Sequence, residues 1–255
     1  NTPSYVYSYE RIKNNIKNFK KNFKNIKPLI CFSVKSNSNL EVLKLINKFG
    51  LGADVVSKGE LINALKAKIK PENIVFSGVG KTIDELNFAI NKKILLINAE
   101  SENEISEIEK IAKSKRKKIN IGIRFNPDTD AKTLKTISTG KKENKFGLTK
   151  NKFLELIKKY KDSKFIQITC VSVHIGSQIT SHIPYKNMLN EVDSIIQKSK
   201  YKFKYIDLGG GMGIQYEKNS NKLNYQKYNK LLKSFLKKNN SKIIFEPGRS
   251  IIGNA

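Results

Sequence analysis

The sequence predicts a closed (β/α)8 barrel, an α/β fold in which eight parallel strands alternate with helices. Short apolar runs typical of buried strands alternate with longer stretches that repeat apolar residues at helical spacing. The alternation continues without a linker, an internal repeat or a low-complexity segment. This unbroken repeat favours one closed barrel over an open, doubly wound sheet. The 255 residues suffice for such a domain.

The predicted strands and helices follow one another in strict order. The apolar runs interpreted as strands are 29–34, 53–56, 74–77, 94–98, 119–125, 168–174, 205–208 and 242–246. The helical stretches between them are 40–49, 58–67, 82–90, 102–115, 150–160, 185–197 and 225–238. A further helix follows Ser8 and places Ile12, Ile16 and Phe19 on one face. No helical stretch follows the eighth run, so we expect the helix that covers this strand to be missing and the chain to be a fragment.

Three of the predicted helices begin with a capping box, in which Ser or Thr stands three residues before Glu. The pairs are Ser57 with Glu60, Thr82 with Glu85, and Ser101 with Glu104. The hydroxyl accepts a hydrogen bond from an amide of the first turn, and the carboxylate reaches back to the amide of the cap. These three helix starts are therefore the most firmly predicted boundaries.

The composition predicts a protein without a nucleic-acid or membrane role. The formal net charge is +27, but Arg occurs at only four positions and the lysines are spread over nearly every predicted helix. Nucleic-acid readers favour clustered Arg, so a drift of the solvated faces towards Lys explains the charge better. No apolar run approaches the length of a membrane span. Cys31 and Cys170 lie in separate apolar runs, which indicates reduced core residues of a cytoplasmic protein and no metal pair.

Lys35 is the first candidate for chemistry, because it ends the apolar run 29–34 and polar residues follow it. A lysine between a buried strand and a loop is easily desolvated, and a desolvated lysine can act as an amine nucleophile. Surface lysines are common in this chain, so Lys35 gains significance only if other strands bring matching groups to the same rim. In a barrel of this kind, that rim is formed by the carboxyl ends of the strands.

Two charged residues lie in other predicted strands. Asp54, near the start of the second strand, could tune the charge of Lys35 or act as a structural hydrogen-bond acceptor. Arg124 lies in the fifth strand and requires an anionic partner, either a ligand or a structural ion pair within the barrel. The segment from Asn126 to Lys150 is long for a loop of a compact domain, which predicts a functional loop on the rim.

The sixth and seventh strands end in groups suited to a flat, anionic ligand. His174 is followed by Gly176 and Ser177, which indicates close approach of a ligand, although a lone His can also be a core residue. After the seventh strand come Gly209, Gly210, Gly211 and Gly213, whose amides could hold a phosphate. Glycine runs also form tight turns, so this motif is weak by itself.

The eighth strand ends with Glu246, followed by Pro247, Gly248 and Arg249. An acid at the tip of an apolar strand requires a cation or a ring N–H as its partner. A lysine, an imidazole, a phosphate cradle and a carboxylate on one rim are the groups that pyridoxal phosphate requires. The sequence therefore predicts a pyridoxal phosphate site at the carboxyl end of the barrel.

The chain resembles the diaminopimelate decarboxylases, within the alanine-racemase-like, fold type III pyridoxal phosphate enzymes. The motifs that carry the resemblance are 2–7 (TPSYVY), 34–37 (VKSN), 54–61 (DVVSKGEL), 76–82 (FSGVGKT), 126–128 (NPD), 137–140 (ISTG), 143–147 (ENKFG), 174–179 (HIGSQI), 209–213 (GGGMG) and 246–249 (EPGR). They occur in order and cover essentially all 255 residues.

The resemblance implies a role for each candidate residue. Lys35 would hold the cofactor as a Schiff base, His174 would stack on it, and Glu246 would face its pyridine nitrogen. The remaining cofactor-binding candidates are Asp54, Arg124, Ser177, Gly209, Gly210, Gly211, Pro247, Gly248 and Arg249. Arg249 would also contact the distal carboxylate of the substrate, and no metal is implied.

The reaction that the resemblance implies is decarboxylation of meso-2,6-diaminopimelate to L-lysine, the last step of lysine biosynthesis. Two alternatives remain: another basic amino-acid decarboxylase of this fold, acting on ornithine, arginine or carboxynorspermidine, and a barrel that binds the cofactor without catalysis. Glu246 argues against racemase chemistry, because alanine racemases place an arginine opposite the ring nitrogen. The resemblance also implies a homodimer with active sites at the interface.

The chain departs from the family pattern in three respects. Leu134 and Ser172 stand where the family usually or often has His, which leaves the local details of the pocket open. We expect the second, β-rich domain of the family to be missing from this sequence, and residues 1–8 to be the lead strand of that domain. Residues 9–255 would then form the cofactor-binding barrel, which we expect to be inactive alone.

Overall fold

The protein forms a closed barrel of eight parallel strands, as the sequence predicts. The computed structural model describes residues 2–133, 137–140, 146–217 and 221–255. Strands β1 to β8 are Leu29–Ser33, Gly52–Val55, Ile74–Phe76, Leu96–Ala99, Ile119–Arg124, Ile166–Ser172, Tyr205–Asp207 and Lys242–Phe245. Each strand pairs with the next along the chain, and β8 pairs in parallel with β1 to close the barrel.

Helices surround the barrel in the order expected of a βα repeat. Helices α1 to α9 are Tyr9–Phe23, Leu40–Lys48, Lys58–Lys66, Ile83–Asn91, Glu102–Ser114, Lys150–Tyr160, Ile183–Ser199, Tyr225–Lys238 and Arg249–Ile252. Their apolar faces pack on the outside of the strands and form the main core. Five side chains, from β1, β3, β4, β6 and β8, form a second cluster that fills the barrel interior below the rim: Cys31, Val75, Leu96, Cys170 and Ile244.

The helix that covers the eighth strand is present, contrary to the expectation from sequence. Phe19 and Phe23 of α1 pack against Phe245 of β8, with ring centroids 5.7 and 4.9 Å apart. Barrel closure makes the first helix a neighbour of the last strand, because α1 leads into β1 and β1 pairs with β8. The short helix α9 follows β8 directly and also contacts α1.

Several strand boundaries differ from those predicted, most importantly around Asp54. The second strand begins at Gly52, so Asp54 lies near its end and not at its start. Gly52 belongs to the strand because it pairs with Cys31 of β1, and the position requires glycine because a Cβ there would lie 2.0 Å from the carbonyl oxygen of Asn73. Sequence reasoning excluded the glycine from the strand. The sixth strand lies two residues earlier than predicted, which places His174 beyond its end.

Only one of the three predicted capping boxes is complete. Thr82 and Glu85 make both reciprocal hydrogen bonds. Ser57 and Ser101 accept the expected amide hydrogen bonds, but Glu60 and Glu104 accept from the amides of Val56 and Glu100, one residue before the cap. These helices therefore begin where predicted, while their glutamates bind the ends of the preceding strands.

Residues 2–8 are extended and make no strand pairing within the described part of the chain. Tyr5 is 92% exposed and Val6 is 87% exposed. The assignment of 1–8 to another domain stays a prediction. Across the described ranges, no helix has both the length and the apolar character needed to span a membrane.

The packing of α1 on β8 predicts a large effect of Phe23→Ala on stability. Phe23 is fully buried between Phe19, Tyr228 and Phe245, and its truncation leaves a cavity. We expect the free energy of unfolding in urea to fall by about 3–5 kcal/mol. Tyr5→Ala, an aromatic truncation at an exposed site, serves as the control and should change it by less than about 0.5 kcal/mol. Equal effects of the two substitutions would contradict this packing.

Candidate active site

A cavity of about 370 Å³ opens at the carboxyl ends of the strands. Its lining comprises Ser33, Lys35, Ser36, His174, Ser177, Gly211, Tyr216, Glu246, Gly248, Arg249, Ile252 and Gly253. These residues follow strands β1, β6, β7 and β8, which are neighbours across the barrel closure. A second cleft of about 400 Å³ lies by α1 and α2 and contains none of the predicted site residues. The groups that sequence reasoning placed on one rim therefore meet in the first cavity.

Lys35 reaches the cavity from a single 3-10 turn, Val34–Ser36, that follows β1. The turn is closed by the Asn37 amide, which donates to the carbonyl oxygen of Val34 at 2.9 Å, and by the Ser36 hydroxyl, which donates to the carbonyl oxygen of Ser33 at 2.7 Å. Lys35 is exposed to solvent, so the protein alone does not desolvate its ammonium group as the sequence argument expected. A ligand that fills the cavity would have to supply that burial.

His174 presents a neutral imidazole to the cavity. Its Nδ1 accepts a hydrogen bond from the Gly210 amide at 3.2 Å, which places the proton of the neutral ring on Nε2. Burial lowers the pKa of His174 well below its ordinary value, and the positive charges of Lys35 and Arg124 lower it further. The ring is therefore uncharged at neutral pH and suited to stacking on a flat ligand.

The glycine run after β7 is shaped by close backbone contacts. A Cβ on Gly210 would lie 2.2 Å from the carbonyl oxygen of Glu246, and one on Gly211 would lie 2.1 Å from the carbonyl oxygen of Gly176. Gly211 also has φ of +82°, a conformation that favours glycine. The glycines thus let the ends of β6, β7 and β8 approach one another closely enough to form the cavity wall.

Glu246 lies on the cavity floor with its carboxyl group largely buried. Its Oε1 accepts a hydrogen bond from the Ser77 hydroxyl at 3.1 Å. Burial raises its pKa well above the ordinary value, and the neighbouring carboxyl group of Asp207 raises it further by charge and by a hydrogen bond. The surroundings of the floor therefore favour the protonated form of this carboxyl group.

Asp54 lies beneath this floor and does not line the cavity. Its Oδ2 accepts a hydrogen bond from the Ser33 hydroxyl at 2.9 Å, and its side chain is 1% exposed. Burial raises the pKa of Asp54 to about 7, with a further rise from Glu246, while Lys35 opposes the rise. Its assignment to the cofactor stays a prediction, and its visible contact is structural.

Arg249 crosses one wall of the cavity from the start of α9. Its Nε donates to the Ser177 hydroxyl at 3.2 Å, and its Nη1 donates to the Tyr216 hydroxyl. A guanidinium, a hydroxyl and the glycine-lined backbone therefore converge on one side of the cavity. These are groups that bind phosphate or carboxylate.

Arg124 forms an ion pair inside the barrel. Its Nη1 lies 2.8 Å from Oε1 of Glu100, and its guanidinium lies 4.8 Å from the ring centroid of Phe146. Both charged side chains are nearly buried, and Arg124 does not line the cavity. The structure thus contains the ion pair that sequence reasoning had kept as an alternative, and cofactor binding by Arg124 stays a prediction.

A second buried ion pair, Lys81 with Glu104, clamps the rim beside Glu246. The two side chains are 1% and 8% exposed and meet at 2.7 Å. The Lys81 ammonium also donates to the carbonyl oxygens of Gly78 and Asn98, at 2.6 and 2.8 Å. All three of its protons are therefore used, and they tie the end of β3 to the end of β4.

The long loop after β5 supports the segment that carries His174 and Ser177. Within the described part of this loop, the Thr139 hydroxyl donates to the carbonyl oxygen of His174 at 2.9 Å, and the Thr133 hydroxyl donates to that of Ser177 at 2.9 Å. The Ser177 amide donates to the carbonyl oxygen of Ile137 at 3.0 Å. The loop thus contributes to the site by fixing its backbone.

The structure gathers seven of the predicted site residues and leaves five outside the lining. The seven are Lys35, His174, Ser177, Gly211, Glu246, Gly248 and Arg249. The five are Asp54, Arg124, Gly209, Gly210 and Pro247, which support the lining from behind or in the barrel. Sequence reasoning missed five residues of the lining: Ser33, Ser36, Tyr216, Ile252 and Gly253. Tyr216, three residues after Gly213, could have been found as the first aromatic residue beyond the glycine run.

Of the two residues that depart from the family pattern, Ser172 and Leu134, the structure describes only Ser172. Ser172 is buried, and its hydroxyl donates weakly to Oδ2 of Asp207 at 3.4 Å. Leu134 and the motif residues 143–145 lie outside the described residues.

Comparison with known proteins identifies the family. Residues 9–253 match the family model described as pyridoxal-dependent decarboxylase, pyridoxal binding domain. The chain belongs to this family. It is 43% identical over its whole length to diaminopimelate decarboxylase from Aquifex aeolicus and 42% identical to that from Helicobacter pylori. It spans 61% and 63% of the lengths of these two relatives.

A crystal structure supports the same grouping. The diaminopimelate decarboxylase from Helicobacter pylori, solved in complex with L-lysine, superimposes with a TM-score of 0.94 at 42% identity. The match covers 98% of this chain and 64% of that one. The barrel fold and the decarboxylase family predicted from the sequence are therefore confirmed.

The cofactor of this family is pyridoxal phosphate, and the residues of the cavity fit it. Lys35 offers a primary amine, His174 a flat neutral ring, and Glu246 an acid that can face a ring nitrogen. Ser177 and Arg249 offer donors to a phosphate beside Gly211, where a side chain would close the space.

This fit predicts that Gly211→Ala weakens binding of pyridoxal phosphate. The added methyl group would lie 2.1 Å from the carbonyl oxygen of Gly176, so the cavity wall must shift. If the overpacking cost of about 1–3 kcal/mol falls on binding, the affinity drops by about 5-fold to 150-fold, measured by fluorescence titration. Gly50→Ala is the matched control, because Gly50 has a similar φ of +69° but no heavy atom within 4 Å of the new Cβ. Equal affinities of the two variants would contradict the prediction.

The buried Asp54 predicts a pH dependence of stability. A carboxyl group with a higher pKa in the folded state than in the unfolded state binds more protons when folded. The free energy of unfolding should therefore fall as the pH rises from about 4, the unfolded value of Asp, to about 7. Asp54→Asn removes this titrating group. The free energy of unfolding in urea, measured at several pH values, should therefore change less with pH in this variant than in the wild-type protein. Asp162→Asn, at a side chain 88% exposed, should leave the slope unchanged. An unaltered slope in Asp54→Asn would show that burial does not raise this pKa.

Proposed function

We propose that the protein catalyses the pyridoxal phosphate-dependent decarboxylation of meso-2,6-diaminopimelate to L-lysine and CO2. The observation that supports it most is the single cavity shared by Lys35, His174, Glu246 and Arg249 in a chain 42–43% identical to two diaminopimelate decarboxylases. An amine, a flat imidazole, an acid and an anion-binding wall are the set that this reaction requires.

In this proposal Lys35 and His174 are the catalytic residues, and each acts through a feature of its local geometry. Lys35 would hold the cofactor through its amine, and the 3-10 turn after β1 directs this side chain into the cavity. His174 supports one face of the cofactor ring, because its Nδ1 is held by the Gly210 amide and its ring stays neutral. When bound, pyridoxal phosphate supplies an electron sink for the carbanion that the loss of CO2 creates.

The remaining residues bind and orient. Ser177, Arg249 and the backbone at Gly211 and Gly248 would hold the phosphate, and Glu246 would place its proton at the ring nitrogen. Arg249 also carries positive charge towards the open side of the cavity, where Tyr216 holds its Nη1. This placement supports the proposal that Arg249 also binds the distal carboxylate of the substrate.

Further features belong to the proposal for the whole protein. We propose a homodimer whose active sites lie at the subunit interface, acting on a small amino-acid substrate in lysine biosynthesis. A cytoplasmic location agrees with the two buried cysteines, which are not in a disulfide.

The proposal predicts that Lys35→Ala abolishes both the visible absorbance band of bound pyridoxal phosphate and the release of CO2. The band requires a covalent link between the cofactor and an amine, and Lys35 is the lysine that lines the cavity. Lys44→Ala is the matched control, at a lysine on the surface of α2, and should keep both signals. The measurement is an absorbance spectrum and a CO2 assay of the full-length protein. A band that persists in Lys35→Ala would refute the assignment.

A product assay separates the proposed substrate from the alternatives. We expect CO2 and L-lysine from meso-2,6-diaminopimelate and at least about a hundredfold lower kcat/KM with ornithine or arginine, since a site built for a distal carboxylate discriminates by unpaired buried groups. Preferential turnover of ornithine or arginine would contradict the proposed substrate but not the proposed cofactor chemistry. No turnover of any of them by a protein that binds the cofactor would favour the non-catalytic barrel.

A further inference from the structure

A buried carboxyl group, Asp207, lies behind Glu246 and has no role in the family resemblance or the proposed reaction. Asp207 ends β7 and is 0% exposed, whereas Glu246 follows β8 and reaches the cavity. A chain of hydrogen bonds links the two side chains: Nδ2 of Asn98 donates to Oδ2 of Asp207 at 2.8 Å and to the Ser77 hydroxyl at 3.2 Å, and this hydroxyl donates to Oε1 of Glu246 at 3.1 Å. Two carboxyl groups buried near each other are costly to ionise together, so the pair favours one proton and one negative charge.

The hydrogen bonds around Asp207 mark it as the charged member of the pair. Its Oδ2 accepts from Nδ2 of Asn98 at 2.8 Å and weakly from the Ser172 hydroxyl, and its Oδ1 accepts from the Gly209 amide at 3.0 Å. A carboxylate that accepts several hydrogen bonds is stabilised in its ionised form. Burial raises the pKa of Asp207 to about 6, and the hydrogen bonds from the Gly209 amide and Asn98 limit this rise.

Glu246 has a poorer set of donors and therefore carries the proton. It accepts from the Ser77 hydroxyl at 3.1 Å, and burial together with the neighbouring charge of Asp207 raises its pKa well above the ordinary value. The titratable groups that face this pair from the neighbouring elements are Asp54, Lys35, Cys31 and Cys170. Of these, Lys35 alone is a cation, and it opposes but does not cancel the effect of burial on Glu246.

Asn98 fixes the direction of this arrangement. Its Nδ2 donates to both Asp207 and Ser77, and its backbone carbonyl oxygen accepts from the buried ammonium of Lys81. Its Oδ1 points at Gly122, where a Cβ would lie 2.0 Å away. The amide is therefore locked with its donor side towards the carboxyl pair, as a neighbouring carboxylate requires.

We propose that Asp207 is a positioning residue that keeps Glu246 in the carboxylic acid form, so that its proton is available to the cofactor. When the cofactor binds, the O–H bond of Glu246 would break and an N–H bond would form at the ring nitrogen, which would leave Glu246 as a carboxylate paired with a cationic ring. No proton need be drawn from solvent. Only this delivery step rests on the proposed function, whereas the protonation of Glu246 is a property of the chain itself.

The test is a pH titration of the Glu246 carboxyl group in the protein without cofactor. Glutamate labelled with ¹³C at the carboxyl carbon reports protonation by NMR, and Glu246→Gln identifies the resonance. We expect Glu246 to remain protonated at pH 7 in the wild-type protein. In Asp207→Asn the charge is lost and the new amide can donate, so the titration midpoint should fall by at least about one pH unit. Asp54→Asn is the matched control, since Asp54 is equally buried but accepts its hydrogen bond from Ser33 and not from Asn98, and its effect should be smaller.

Two results would overturn the inference. One is a Glu246 that is already ionised at pH 7 in the wild-type protein, a result that needs no variant to fold. The other is a folded Asp207→Asn, verified by circular dichroism, with an unchanged midpoint. The outcome is independent of the Lys35→Ala spectrum. If Lys35→Ala loses the absorbance band but Glu246 is ionised at pH 7, only this inference is contradicted. If the band persists in Lys35→Ala but Glu246 is protonated, only the proposed link between Lys35 and the cofactor is contradicted.

Discussion

The parallel pairing of β8 with β1 is the constraint on which the site depends. Ile30 lies opposite Phe245 in the register, and the Ser33 amide donates to the carbonyl oxygen of Pro247 at 3.1 Å. Lys35 and Glu246 are 211 residues apart in sequence, yet each follows one of these two strands by a few residues. Closure of the barrel therefore sets the amine and the acid side by side, and helix α1 secures the seam by packing on Phe245.

The residues around the cavity divide into those that reach it and those that hold them in place. The imidazole of His174 is fixed by the Gly210 amide, and its backbone by Thr139 of the loop after β5. Glu246 is held from below by Ser77, which Asn98 joins to Asp207. Because both supports are buried hydrogen bonds, loss of one partner would leave the other unsatisfied, which is costly in a protein interior. Precise placement at the rim thus relies on polar contacts inside the barrel.

The order of elements could be predicted from the sequence because strand and helix periods differ and most helix starts carry caps. The seven residues that meet in the cavity were predictable because the strand ends of a barrel share one rim. Position 52 was assigned wrongly because a glycine that permits close strand approach looks like a loop residue. The cover of β8 by α1 was missed because it depends on closure, a contact between the two ends of the chain.

Features that depend on pairs of distant residues could not be predicted. The clamp between Lys81 and Glu104 and the bridge from Asn98 to Asp207 join different strands, and no local pattern marks them. The solvent exposure of Lys35 was also missed, since a 3-10 turn after β1 carries it clear of the apolar core. Tyr216 joins Arg249 across 33 residues, and only the fold brings the two hydrogen-bonding groups together.

The central claim is that closure of the barrel delivers one particular lysine to a cofactor that Glu246 also faces. The most direct measurement is to reduce the cofactor-loaded protein with borohydride, digest it and locate the pyridoxyl group by mass spectrometry. The account predicts stoichiometric labelling of the peptide that contains Lys35. Labelling of a different lysine, or scattered labelling over the many surface lysines, would contradict it.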